Sequence, residues 1–124
     1  MRRWTALQKE SVEELVARFT AIALKQHEAV LYRQTTKYNR LYDQVVAVKD
    51  ELKSRNDDER RALTSLYTYP NAMVRLQAAR ANLALGYTEA RNVIQSIVDS
   101  DDQPLAFHAG MTLSNLDRGF YKPT

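Results

Sequence analysis

The chain has 124 residues, 44% of them hydrophobic and 27% charged, with 18 basic and 15 acidic side chains and a net charge of +3. That size fits one domain, and the apolar content excludes a disordered chain. There is no cysteine, which excludes a disulfide framework, a thiol nucleophile and a zinc–thiolate site.

The first residues show no targeting segment. Arg2 and Arg3 are basic, but Lys9, Glu10, Glu13 and Glu14 interrupt any apolar core that would follow them. No apolar run approaches the length of a membrane span, so a cytoplasmic protein is expected.

Ser11 with Glu14 three residues later forms a capping box, which starts the first helix. Val12, Leu15, Val16, Phe19, Ile22, Ala23 and Val30 then follow at three- and four-residue steps, one apolar stripe on a helix. A second stripe runs through Tyr38, Leu41, Tyr42, Val45, Val48 and Leu52. No glycine or proline separates the two. A single helix from Ser11 to Arg55 would be ~65 Å long, against ~35–40 Å for a compact domain of this size. A break at Gln34-Thr35-Thr36 is therefore expected, giving an antiparallel hairpin over 11–55.

Asn56-Asp57-Asp58 reads as a loop and cap, and Ala62, Leu63, Leu66 and Tyr67 as a short third helix. Asn71, after the Tyr69-Pro70 turn, caps a fourth helix that carries Val74, Ala78, Ala79 and Leu83. Gly86 is expected to close it in a left-handed conformation. Thr88 is expected to cap a fifth helix bearing Val93, Ile94 and Ile97, with Glu89 in its first turn. Asp101-Asp102 is expected to open a sixth, with Pro104 in its first turn, Ala109, Leu113 and Leu116 inward and Gly119 at its end.

The last four helices repeat. Ala79-x-x-x-Leu83 recurs as Ala109-x-x-x-Leu113, about thirty residues on, and Leu63 and Val93, or Tyr67 and Ile97, match at the same offset. That period signals stacked helical hairpins over 57–119. Pro70 to Ala79, a Pro/Asn turn followed by Val74-Arg75 and the small pair Ala78-Ala79, resembles the second helix of a HEAT repeat. The next repeat lacks the arginine, with Pro104 and Leu105 in place of Val74 and Arg75. With Thr36 to Tyr42 and Ala109 to Leu113, the whole resembles a small bacterial HEAT-like family of unknown function. The resemblance implies an all-α fold: an N-terminal helical hairpin and two HEAT-like hairpins, about six helices, in one domain over 1–124.

Catalytic chemistry is not spaced for. His27-Glu28 opens like a zincin motif, but Leu31 stands where the second histidine belongs. Asp99, Asp101 and Asp102 cluster, yet Pro104 and Gly110 occupy the glycine and glutamate positions of a calcium loop counted from Asp99. No metal, cofactor or catalytic residue is assigned, and the chain is not expected to be an enzyme.

Two basic groups are candidates for binding. Arg33, Lys37 and Arg40 lie at four- and three-residue steps on one helical face, with Tyr32, Tyr38 and Tyr42 beside them. Tyrosine and arginine anchor protein interfaces, and basic residues among aromatics also bind single-stranded nucleic acid. The plainer alternative is a solvated basic face with the tyrosines in the hairpin seam. Arg75 and Arg80 lie on the fourth helix, which lines the inner surface in stacked hairpins. Arg75 either binds a partner there or pairs with Asp101 or Asp102. The expectation is a protein–protein interaction module of adaptor or immunity type, using Arg33, Lys37, Tyr38, Arg40, Arg75 and Arg80. Its partner is an unknown protein or a second copy. Nucleic-acid binding through the basic face is the alternative.

Overall fold

The computed structural model describes residues 7–124; Arg2 and Arg3 lie outside the described residues. The described residues are helical and contain no strand. The elements are α1 (Val12–Leu31), α2 (Thr35–Ser54), a 3₁₀ helix (Glu59–Thr68), α3 (Ala72–Asn82), α4 (Tyr87–Asp99) and α5 (Leu105–Asp117). The chain forms two compact units, Met1–Ala62 and Leu63–Thr124. None of the described helices is long and apolar enough to cross a membrane.

In the first unit, α1 begins at the expected capping box. Ser11 Oγ accepts from the Glu14 amide at 3.1 Å, and Glu14 Oε1 accepts from the Ser11 amide at 2.8 Å. These bonds hold the Glu14 carboxyl below its usual range: the amide bond from Ser11 contributes most, then the Ser11 hydroxyl. The helix breaks where its length required. Tyr32, Arg33 and Gln34 form the turn, and Arg33 takes a left-handed conformation with φ 56°. The Gln34 amide reaches back to the Ala29 carbonyl at 2.8 Å, which closes the last turn of α1.

The two helices of this hairpin run antiparallel, and Arg55, just after α2, donates to the Leu7 carbonyl at 3.0 Å. The seam between them is the pair of apolar stripes: Leu15, Phe19, Ile22, Ala23, Leu41, Val45, Val48 and Leu52 are buried. Each fully buried leucine or phenylalanine contributes roughly 1.5–3 kcal/mol by leaving water. Gln26 is also buried, and neither of its side-chain polar atoms has a hydrogen-bond partner.

The chain leaves α2 through Asp57 and Asp58, both left-handed. Asp58 then starts the 3₁₀ helix, accepting from the Arg60 amide and, through both carboxylate oxygens, from its buried guanidinium. The third helix expected from Ala62, Leu63, Leu66 and Tyr67 is thus present but wound as 3₁₀.

In the second unit, Asn71 caps α3 as expected, its Oδ1 accepting from the Met73 and Val74 amides at 2.9 and 3.2 Å. Nearly the whole circumference of α3 is buried, and it packs on α4 and α5. Its alanines permit this, because small side chains let neighbouring backbones come close. Ala79 and Ala109 are both fully buried, and Leu83 and Leu113 nearly so, which fits the thirty-residue repeat.

Three expected boundaries differ. Gly86 is not left-handed; with φ −143° it is the residue before α4, because the chain turns at Leu83–Leu85 and needs no left-handed residue there. Thr88 therefore sits inside α4 instead of capping it. Asp101 and Asp102 do not begin the last helix, which starts at Leu105. Asp101 is left-handed in the preceding turn, Pro104 stands at the cap position and not inside the first turn, and the Gln103 side chain accepts from the Phe107 amide at 3.1 Å. Gly119 does end the helix with φ 75°, a conformation in which an added Cβ would be strained.

Candidate binding face

The hairpin of the first unit brings three of the predicted cations together. Arg33 is in the turn, and Lys37 and Arg40 lie in the first and second turns of α2. With Gln34, Thr35 and Thr36 they line a depression of about 550 Å³ at the hairpin tip. Lys37 and Arg40 also form one wall of a second depression of about 630 Å³, the groove between α1 and α2. Arg18, Ala21, Ile22, Lys25 and Glu28 line it from α1, and Leu41 and Gln44 complete the α2 side. The spacing is helical on both sides, so the groove follows the hairpin.

The charge here is concentrated. Residues 25–40 hold four bases (Lys25, Arg33, Lys37, Arg40) and one acid (Glu28), a surplus of three that equals the net charge of the whole chain. Elsewhere several cations sit in ion pairs, Lys49 with Asp50 among them. Arg18 pairs with Glu10, Arg55 with Glu51, Arg60 with Asp58 and Arg91 with Asp117. Among the described residues no carboxylate lies within ion-pair distance of Lys25, Arg33, Lys37 or Arg40. Like charges at these helical steps repel by ~0.2–0.5 kcal/mol per pair. The start of α2 adds to the positive field: Gln34 makes no side-chain cap, and no acidic residue occupies the first turn.

The tyrosines divide. Tyr32 is 72% exposed beside Arg33, with Leu31 also exposed. Tyr38 is half-buried and Tyr42 exposed. None of the three lines either depression; the apolar floor of the groove is aliphatic, from Ala21, Ile22 and Leu41.

Arg75 and Arg80 belong to the framework of the second unit. Arg75 donates to the Tyr69 carbonyl at 3.2 Å, and so holds the turn that precedes its own helix. It does not pair with Asp101 or Asp102; Asp101 accepts from Gln103 instead. Arg80 donates through Nε and Nη2 to Thr112 Oγ1 at 2.9 and 2.6 Å, and Thr112 donates on to the His108 carbonyl at 3.2 Å. This chain of bonds ties α3 to α5. Burial, and then the Arg80 charge, push the His108 imidazole below its usual range. Tyr67 is pushed up to about 12, by burial first and then by Glu89. No group of three His, Asp or Glu among the described residues is placed to hold a metal ion.

The sequence missed Lys25, Ala21 and Gln44 as parts of this face. They are separated from Arg33 in sequence, and only the hairpin fold brings them alongside Lys37 and Arg40. The signal was available: Lys25 lies seven residues after Arg18, on the same side of α1.

The molecule is thus an all-α protein made of helical hairpins, with an unneutralised basic face on the first. The chain belongs to the family defined by a domain of unknown function, DUF2019, whose model matches residues 13–117. It is similar to the protein RPA1889 from Rhodopseudomonas palustris CGA009, known from a crystal structure. The two are 42% identical, with 95% of this chain and 98% of that one covered, at a TM-score of 0.89. No curated protein matches the chain.

Proposed function

We propose that the chain is a non-enzymatic protein-binding module, of adaptor or immunity type, that docks its partner on the basic face of the first hairpin. The observation behind this reading is the convergence of Arg33, Lys37 and Arg40 on one depression without a carboxylate to neutralise them. Their mutual repulsion is relieved when an anionic surface covers them. Tyr32 and Leu31 beside them supply the exposed aromatic and aliphatic surface that anchors protein interfaces.

The second unit supports a HEAT-like reading of the scaffold. Its repeat positions Ala79 and Ala109, and Leu83 and Leu113, are buried alike at the thirty-residue offset. Arg75 and Arg80 have no place in the docking face, since their guanidiniums serve the unit's own helices. Catalysis has no place in the proposal either: the charged neighbour that shifts His108 is the cation Arg80.

Nucleic-acid binding is the second reading, favoured by Tyr32 next to Arg33 and by the uncapped start of α2. Two observations count against it. Neither depression contains a ring on which a base could stack, and Glu28 stands in the groove where a phosphate backbone would run.

A photo-crosslinking residue placed at exposed Thr36, in cells that make the protein, tests the proposal. A protein adduct that disappears in the Lys37→Glu/Arg40→Glu variant is expected. A nuclease-sensitive adduct at Thr36 would favour the second reading. Protein adducts only from exposed Ser96 on α4, and none from Thr36, would overturn the placement.

A further inference from the structure

We infer that the groove between α1 and α2 takes an acidic amphipathic helix of about three turns from the partner protein, an inference that rests on the docking face proposed above. Its dimensions set the occupant. From Arg18 to Glu28 the groove follows ten residues of α1, or ~15 Å, which is about three turns of helix.

Its chemistry sets the sequence. Of its aliphatic lining Ala21 is exposed, while Ile22 and Leu41 are buried in the hairpin's own seam and show only their edges, and Lys25, Lys37 and Arg40 stand on the rims without acidic partners. An occupant with apolar residues on one face and carboxylates flanking them satisfies both, the mode in which a helix lies in a groove between two others. A polyanion without apolar groups satisfies only the rims. Arg18 contributes less, because Glu10 already neutralises it. Glu28, toward the tip end of the groove, favours a basic or neutral residue of the occupant beside it.

The probes are three, each added to the isotope-labelled full chain and followed by backbone amide shifts. One is a peptide of about fourteen residues with Leu and Glu at helical spacing. The others are a polyglutamate peptide of that length and an oligothymidylate of that length. The Leu/Glu peptide is expected to shift Ala21, Lys25, Lys37, Leu41 and Gln44, and to bind at least ~5-fold tighter than polyglutamate. Lys37→Glu/Arg40→Glu is expected to weaken it by ~10-fold or more. Ala21→Glu, an exposed substitution that leaves the core intact, is expected to weaken the Leu/Glu peptide as well.

Equal binding of the two peptides, tightest binding by the oligonucleotide, or shifts confined to Leu63–Thr124 would each overturn the inference. So would groove shifts that appear on concentrating the protein alone, which would make a second copy the occupant. If the peptide fails while Thr36 still crosslinks to a protein, the acidic helix is wrong and the docking face stands. If both fail, the docking face is wrong.

Discussion

Asp58→Asn removes the charge of one ion pair together with one of its two acceptor oxygens. Arg60 is only 4% exposed, and its Nε and Nη2 donate to the two Asp58 oxygens at 2.8 and 2.6 Å. Asparagine tolerates the left-handed backbone at this position, φ 52°, and keeps one oxygen to accept from the Arg60 amide. What it removes is the negative charge and the second oxygen, the one that accepts from Nη2. Truncating one partner of a fully buried pair costs about 3–5 kcal/mol, because the other charge is left uncompensated. The Asp58 side chain is about a quarter exposed, so solvent screens part of that loss, and ~2 kcal/mol is expected. For a chain of this length that is a fall in Tm of roughly 6–10 °C.

The pH dependence follows from the direction of the shift. Hydrogen bonds from the Arg60 guanidinium, with its charge, hold the Asp58 carboxyl below its ordinary 3.8. A depressed carboxyl contributes stability that is present above the unfolded value and lost as the pH falls through the folded one. The gap between parent and variant in urea unfolding should be full near neutral pH, and should close below about pH 4. A gap under ~0.5 kcal/mol at neutral pH, or one that persists undiminished in acid, would refute the reasoning.

Asn71→Ala removes the acceptor for two amides at the start of α3 and should lower stability by ~1 kcal/mol, read from the urea midpoint. Gln26→Met replaces a buried amide that has no hydrogen-bond partner with an apolar chain of similar length; a gain of ~1–2 kcal/mol is expected by the same assay. Arg33→Gly relieves a left-handed arginine. It should raise stability by ~0.5 kcal/mol after the extra freedom of the unfolded glycine is deducted, while it weakens the binding of acidic probes.

The helices of the first hairpin were legible because two strong regularities agree there, the capping box at Ser11 and two unbroken apolar stripes. The break between them followed from length alone. Its conformation did not, because a left-handed residue is anticipated from glycine or asparagine, and here it is Arg33. The opposite error occurred at Gly86, whose freedom is not used for a left-handed cap. Asp101 and Asp102 looked like caps by residue type, but the helix starts later, with Pro104 at its cap position and the Gln103 side chain accepting from the Phe107 amide. In the candidate site, Arg33, Lys37 and Arg40 were legible because they are close in sequence on one helical face. Arg75 and Arg80 were read by analogy to stacked hairpins, in which second helices face a partner, and their bonds within the second unit were not legible. Their guanidiniums are engaged with Tyr69 and Thr112, contacts 6 and 32 residues away that no local pattern encodes. Lys25 and the aliphatic floor became part of the face only through the pairing of α1 with α2.

Hydrogen exchange of the full chain, free and bound to the protein captured through Thr36, measures the docking face directly. Slowed exchange across the second half of α1 and the first half of α2, spanning Lys25 to Gln44, is the predicted footprint. Protection confined to Leu63–Thr124, with Lys25 to Gln44 unchanged, would contradict it.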